Sequence, residues 1–457
     1  MSKVRLLSNN KSIFTLIVSM LIIIIMDSSL TIFCIPRNNR IVNISNTELY
    51  LIYSIIFIIS NIVLFNIVNN IKSNMKNKYY YFIVLIVQSL LSIILLTIYG
   101  QMILYSNYSN FFIFIIVYIS FLSSIGFLSI LTIKLLRWFS LNPKYYVLMY
   151  GIAISFFILN TIIGLVYVSQ VLLAHPDIIK PASCRVLFGS LFHINPGLSI
   201  YLSNLYDITS IISFVALWVV TIFLLKQYSR SIGKIKYWIL VSVPLIIFMT
   251  KYEIILYYFF KDPAILEIFS SIRLNSIVDQ IVYTFLNSNL QIGGIFFAIA
   301  FLAIAKKIPK GHQIVNSLII SLIGMMFLFG SKNVSALIIS SYPPVGIVAI
   351  SFMGLASYLL LVGIYSIATI AARDITLRKY LSKKVENDTT LLTNIAYSES
   401  ESEIQKNVKS LIHYSSQWQQ NNRPHELNQQ EIREIVDDVI SEIKENIIKN
   451  DGKVRRK

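Results

Sequence analysis

The sequence is poor in charge. Charged residues make up 13% of the 457 residues, whereas hydrophobic residues make up 56%. A soluble protein of this length needs more charged groups than this to cover its surface. The composition therefore excludes an ordinary soluble protein and indicates that a lipid bilayer surrounds most of the chain.

Motifs of common catalytic and nucleotide-binding sites are also missing. The sequence contains no H-E-x-x-H, G-x-S-x-G, P-loop or G-x-G-x-x-G pattern. Its five histidines are scattered, and they do not gather around the cysteines with the spacing of metal ligands. We therefore do not predict an enzyme, and we expect neither a cofactor nor a metal ion.

Apolar segments of the length needed to cross a bilayer recur ten times before residue 372. A spanning helix needs roughly 20 apolar residues, and these segments lack the alternating pattern of a barrel strand. We therefore predict an all-α fold, a polytopic bundle of about 10 transmembrane helices. The predicted spans are residues 12–34, 49–68, 79–99, 111–133, 146–173, 204–225, 237–258, 283–305, 313–330 and 346–370.

Lysine and arginine collect in every second connector between these spans. Basic clusters precede the first span and follow the second, fourth, sixth and eighth, within residues 72–78, 134–144, 226–236 and 306–310. The positive-inside rule places these connectors and both termini in the cytoplasm of a multi-pass cell-membrane protein. Aromatic residues such as Trp138 lie beside the clusters, and we predict that they contact the lipid headgroups.

The net charge of +17 comes mainly from these basic connectors. The basic residues are dispersed over several connectors and do not form one face, as a nucleic-acid interface requires. We therefore predict contact with anionic lipid headgroups and no nucleic-acid partner.

The first span has an alternative interpretation. Lys3, Arg5 and Lys11 precede its apolar core, as in a secretory signal peptide. The apolar character resumes after Asp27, and no A-x-A-like cleavage site is present. If cleavage occurred, nine spans with the same orientation would remain.

The composition divides the chain into three parts. Residues 1–372 form the predicted transmembrane bundle, residues 373–403 a charged flexible linker, and residues 404–457 a cytoplasmic tail with amphipathic helices. Within 427–450, apolar residues recur with helical spacing and predict a helix that binds a cytoplasmic protein or a second copy of itself. These residues are Ile432, Val436, Val439, Ile443 and Ile447.

Four charged residues fall within or near the outer halves of predicted spans. They are Asp27, Asp207, Lys251 and Glu253. Charges inside a membrane are costly unless they are paired or hydrated, so they are candidates for a ligand site or an ion pathway. The alternative is structural, because the same residues could form ion pairs or reach the membrane surface.

The two cysteines, Cys34 and Cys184, both lie on the outer side of the predicted topology. Disulfides persist on that side of a cell membrane. We predict a bridge that ties the long connector after the fifth span to the end of the first. Two free thiols are the alternative.

One stretch resembles a known group of proteins. Residues Ser340-Ser-Tyr-Pro-Pro-Val-Gly346 and the apolar run that continues to Arg373 resemble the last span of uncharacterised archaeal multi-pass membrane proteins. The resemblance is confined to residues 340–373. It implies the same membrane class and adds no site residue.

Two functions are consistent with these features. The first is a membrane sensor or transducer that signals through the helices of its cytoplasmic tail. The second is a transporter or permease with an outward-facing polar cavity around the four charged residues. The tail favours the first function, and the charges within the spans favour the second.

Overall fold

A computed structural model of the chain describes most of the region between Asn46 and Lys406. The described residues are 46–71, 78–143, 145–173, 178–179, 196–226, 233–250, 289–305, 313–332, 344, 346–373, 395, 398–403 and 405–406. Helices account for nearly all of them, which confirms the predicted all-α class.

Besides a short helical segment at residues 398–403, the described residues form ten helices and one short strand pair. The helices are α1 (Asn46–Ile71), α2 (Lys78–Tyr105), α3 (Asn110–Leu141), α4 (Tyr145–Leu173), α5 (Pro196–Lys226), α6 (Lys234–Thr250), α7 (Asn289–Ala305), α8 (Gln313–Gly330), α9 (Gly346–Ser351) and α10 (Met353–Arg373). Strand β1 (Tyr108–Ser109) pairs antiparallel with β2 (Ile178–Ile179), and it joins the connector after α2 to the one after α4.

Within the described part of the chain, five helical segments are long and apolar enough to cross a membrane. They are Tyr79–Tyr105, Asn110–Leu141, Tyr145–Leu173, Tyr201–Lys226 and Gly346–Ala372, and four shorter apolar helices accompany them. Large aliphatic side chains such as Ile62, Ile93 and Ile133 point away from the protein on the outer helices. Water would disfavour such a surface, whereas lipid chains match it. The structure therefore supports a membrane protein with several spans.

Neighbouring helices run in alternating directions. Tyr50 on α1 donates a hydrogen bond to the Leu95 carbonyl near the far end of α2, and Asn110 at the start of α3 donates to the Leu172 carbonyl at the end of α4. The exception is α10, which runs parallel to α3. Ser124 of α3 is bonded to Ser357 of α10.

Helix α10 occupies the centre of the bundle, where glycine permits close approach to α8. A Cβ atom added to Gly324 would lie 2.6 Å from the backbone nitrogen of Leu360, and one added to Gly363 would lie 2.7 Å from that of Ser321. Small residues let transmembrane helices bring their backbones together, and van der Waals packing then stabilises the pair.

Several helix boundaries differ from the sequence prediction. Helix α2 ends at Tyr105 where the predicted span ended at residue 99, and α3 ends at Leu141 where the predicted span ended at residue 133. Helix α5 begins at Pro196, although the predicted span began at residue 204. Proline suits the first turn of a helix because its missing N–H would have no partner there. The predicted last span is divided, since α9 ends at Ser351 and α10 begins at Met353.

Candidate functional site

The division between α9 and α10 is the first polar feature inside the bundle. The backbone N–H of Phe352 donates to the Ala349 carbonyl at 3.1 Å, a tighter turn than an α-helix makes. The side-chain amide of Gln88, on α2, donates to the Ser351 carbonyl at 3.2 Å. A side chain from another helix thus stabilises the end of α9 where the regular pattern stops.

Buried polar atoms without a hydrogen-bond partner lie on the helices around this division. Among the described residues, they include both amide atoms of Asn61, the Oε1 atom of Gln88 and the Oγ atom of Ser120. Phe57, one turn before Asn61, packs on Phe352 with ring centroids 4.6 Å apart. Because unsatisfied polar atoms are costly in a bilayer, these groups are candidates to contact water or a solute.

Lys332 is the second feature, and its side-chain amine is buried. Burial lowers the pKa of this amine to about 7. Lys332 lies two residues beyond the end of α8 and is only 2% exposed. Its Nζ atom lies 3.8 Å from the centroid of the Phe157 ring on α4. Among the described residues, no carboxylate forms an ion pair with it. The contact with Phe157 is a cation–π interaction.

Phenylalanine rings from four helices pack around this end of α8. The Phe329 ring lies 5.3 Å from that of Phe157 and 4.9 Å from that of Phe297 on α7. Phe214 of α5 packs on Phe297 at 5.3 Å and stacks on Phe248 of α6 at 3.7 Å. Phenyl rings cannot accept a conventional hydrogen bond or neutralise a charge, so the Phe157 ring that Lys332 contacts belongs to an apolar cluster.

The third feature joins the bundle to the segment that follows it. The indole N–H of Trp138, near the end of α3, donates to the Oε2 atom of Glu399 at 2.7 Å. Glu399 is 6% exposed, and Ile395 and Ser398 beside it are also buried. One turn before Trp138, Lys134 places its ammonium 5.2 Å from the Tyr365 ring of α10. Part of the segment predicted as a linker is therefore helical and packs against the bundle.

Asp207 is the one predicted charged site residue that the structure describes. It is half-buried on α5, where it already has an interaction partner. Beside it, Asn160 of α4 donates to the Tyr206 carbonyl at 3.0 Å and to Thr209 at 2.9 Å. The polar groups here therefore serve at least in part to hold α4 and α5 together.

The other predicted site residues lie outside the described residues. They are Asp27, Lys251 and Glu253, the cysteines Cys34 and Cys184, and the tail residues Ile432, Val436, Val439, Ile443 and Ile447. Their roles stay predictions.

Sequence reasoning missed Lys332 and Glu399. Lys332 is a basic residue in a connector predicted to lie outside, so it departs from the charge rule, and that departure was the available signal. Glu399 stands in a Ser-Glu-Ser-Glu-Ser run with the composition of a linker. Trp138, predicted at the headgroups, is instead buried against Glu399.

The described residues contain no group of three or more His, Cys, Asp or Glu side chains that could hold a metal ion. Comparison of the chain with protein families, with curated proteins and with solved structures finds no match. The function must therefore be argued from the three features described above.

Proposed function

We propose that the protein is a membrane transducer that passes a change in its helix bundle to its cytoplasmic tail. The observation that supports this function is the buried hydrogen bond between Trp138 and Glu399. It joins α3 to the segment that leads into the tail. The proposal includes the predicted topology of ten spans with both termini in the cytoplasm.

The contact is suited to reversible docking. A carboxylate in a buried position is strongly unfavourable unless a donor compensates for the lost hydration. The Trp138 indole supplies that donor only while α3 holds its place. A small displacement of α3 would therefore favour release of Glu399 into water, where the carboxylate is hydrated.

A route for such a displacement exists within the bundle. Helices α3 and α10 run side by side and are connected by the Ser124–Ser357 hydrogen bond at 2.6 Å. The division between α9 and α10 lies close to this bond along the chain. A change at the division would shift α10 against α3, and hence move Trp138 relative to the tail. Release would expose the helix predicted within 427–450 to its cytoplasmic partner.

Hydrogen exchange of residues 398–403 in the full-length protein, purified in lipid nanodiscs, tests the docking. Trp138→Phe removes the donor and should accelerate exchange of these amides at least severalfold. Trp218→Phe is the matched control, because it removes an indole bond of 2.9 Å to the Val241 carbonyl between α5 and α6. Equal exchange in the wild type and the Trp138 variant would show that the contact does not hold the tail.

Transduction requires in addition that a change inside the bundle reach the tail. Gln88→Leu removes the bond to the Ser351 carbonyl, which joins α2 to α9 and involves neither α3 nor residues 398–403. We expect this variant to alter exchange of residues 398–403 as well. If exchange is unchanged in this variant but faster in Trp138→Phe, the docking hypothesis stands. The hypothesis that a change inside the bundle reaches residues 398–403 is then refuted.

A transporter is the second candidate, and the irregular turn at Phe352, together with the unpartnered polar atoms of Asn61 and Ser120, favours it. Irregular backbone within spanning helices forms the substrate sites of many transporters. In a background with both native cysteines replaced by serine, Asn61→Cys and Ser120→Cys would then react with a membrane-impermeant thiol reagent from either side. Protection from both sides would count against a carrier.

A further inference from the structure

We infer that Lys332 is the centre of a binding site for one small monovalent anion. The inference concerns the Phe157 end of α8 and does not depend on whether the protein is a transducer or a carrier. The chemistry that recognises the anion is the buried amine of Lys332, in its protonated form, beside the Phe157 ring.

The first argument is charge balance. An ammonium that leaves water without a compensating negative charge is strongly unfavourable, and burial accordingly lowers the pKa of Lys332 to about 7. The contact with the Phe157 ring recovers only part of the lost hydration, since a ring face carries a partial negative charge and no full one. Among the described residues no carboxylate forms an ion pair with this amine, and an anion from solution bound beside it would favour its protonated form.

The second argument concerns the kind of anion. One ammonium balances one negative charge, and a divalent anion would bring an uncompensated charge into the same apolar surroundings. The Phe157 ring beside the amine cannot replace the water lost by a strongly hydrated ion. The site should therefore prefer weakly hydrated ions, in the order nitrate, chloride, fluoride, and should reject sulfate.

The experiment is thermal unfolding of the full-length protein in nanodiscs at constant ionic strength. Sodium gluconate, whose organic anion is much larger than chloride or nitrate, is replaced stepwise by sodium nitrate, chloride, fluoride or sulfate. For the wild type we expect a saturable rise of several degrees with nitrate and chloride, and none with sulfate. Lys332→Met should abolish the rise. Lys226→Met, at an exposed lysine in the last turn of α5, should retain it.

Several outcomes would overturn the proposal. A rise that never saturates, or an equal rise with sulfate and chloride, would show a general salt effect. The same rise in Lys332→Met would place the effect elsewhere in the protein. If the Met variant does not fold, Lys332→Arg keeps the charge and should keep the chloride response. A folded Arg variant without that response would also refute the site.

Discussion

Helix α2 and the span formed by α9 and α10 have nearly the same hydropathy, but the protein uses them differently. Only 28% of the most apolar stretch of α2 is buried inside the protein, against 100% for the α9–α10 span. The central span contains Gly354, Gly363 and a series of alanine and serine residues, whereas α2 is rich in isoleucine and leucine. In a membrane, lipid chains are as apolar as leucine, so hydrophobicity does not separate interior from exterior.

Residue size instead determines which helix surfaces lie inside the bundle and which face lipid. Gly354 of α10 faces Ser123 of α3, and Gly324 of α8 faces Leu360 of α10. A larger side chain at Gly324 would push the backbones apart, and one at Gly354 would displace the Ser123 side chain. Packing and interhelical hydrogen bonds stabilise the centre, while the outer faces need only be compatible with lipid.

The largest expected change in stability distinguishes the buried face of α2 from its lipid-facing side. Leu91 is fully buried, whereas Ile93 is 64% exposed. Leu91→Ala leaves a cavity and should lower the free energy of unfolding by roughly 2–5 kcal/mol. Ile93→Ala faces lipid and should change it by less than about 0.5 kcal/mol. Unfolding in mixed detergent micelles measures both, and equal losses would contradict the assignment of the two faces.

The next prediction concerns two Gly→Ala substitutions that should change the stability of the protein in opposite directions. Gly324→Ala places a Cβ atom 2.6 Å from the backbone of Leu360, and the overpacking should destabilise the protein by about 1–3 kcal/mol. Gly100→Ala, on α2, meets no atom within 4 Å and should stabilise the helix by roughly 0.5–1 kcal/mol. The same unfolding measurement applies. A gain in stability at both positions would mean that α8 and α10 do not approach closely.

The membrane class and the helical fold were predictable because each span has an apolar length that only a bilayer requires. Which face of a span is buried was not predictable, since Leu91 and Ile93 are both aliphatic and stand two residues apart. The division at Phe352 was also missed, because it depends on Gln88 from a distant helix. The same holds for Glu399, whose burial depends on Trp138.

The smallest expected change in stability tests whether hydrogen bonds, in addition to close packing, stabilise the centre of the bundle. Ser124→Ala and Ser357→Ala each remove one partner of the 2.6 Å hydrogen bond between α3 and α10. Interhelical hydrogen bonds in membrane proteins contribute about 0.6 kcal/mol on average. We therefore expect each variant to lose a similar amount, and the double variant to lose little more than either one. Ser92→Ala, whose hydroxyl bonds only within α2, is the control. If the two losses add fully, the hydroxyls are not coupled, and close packing alone holds α10 in the centre.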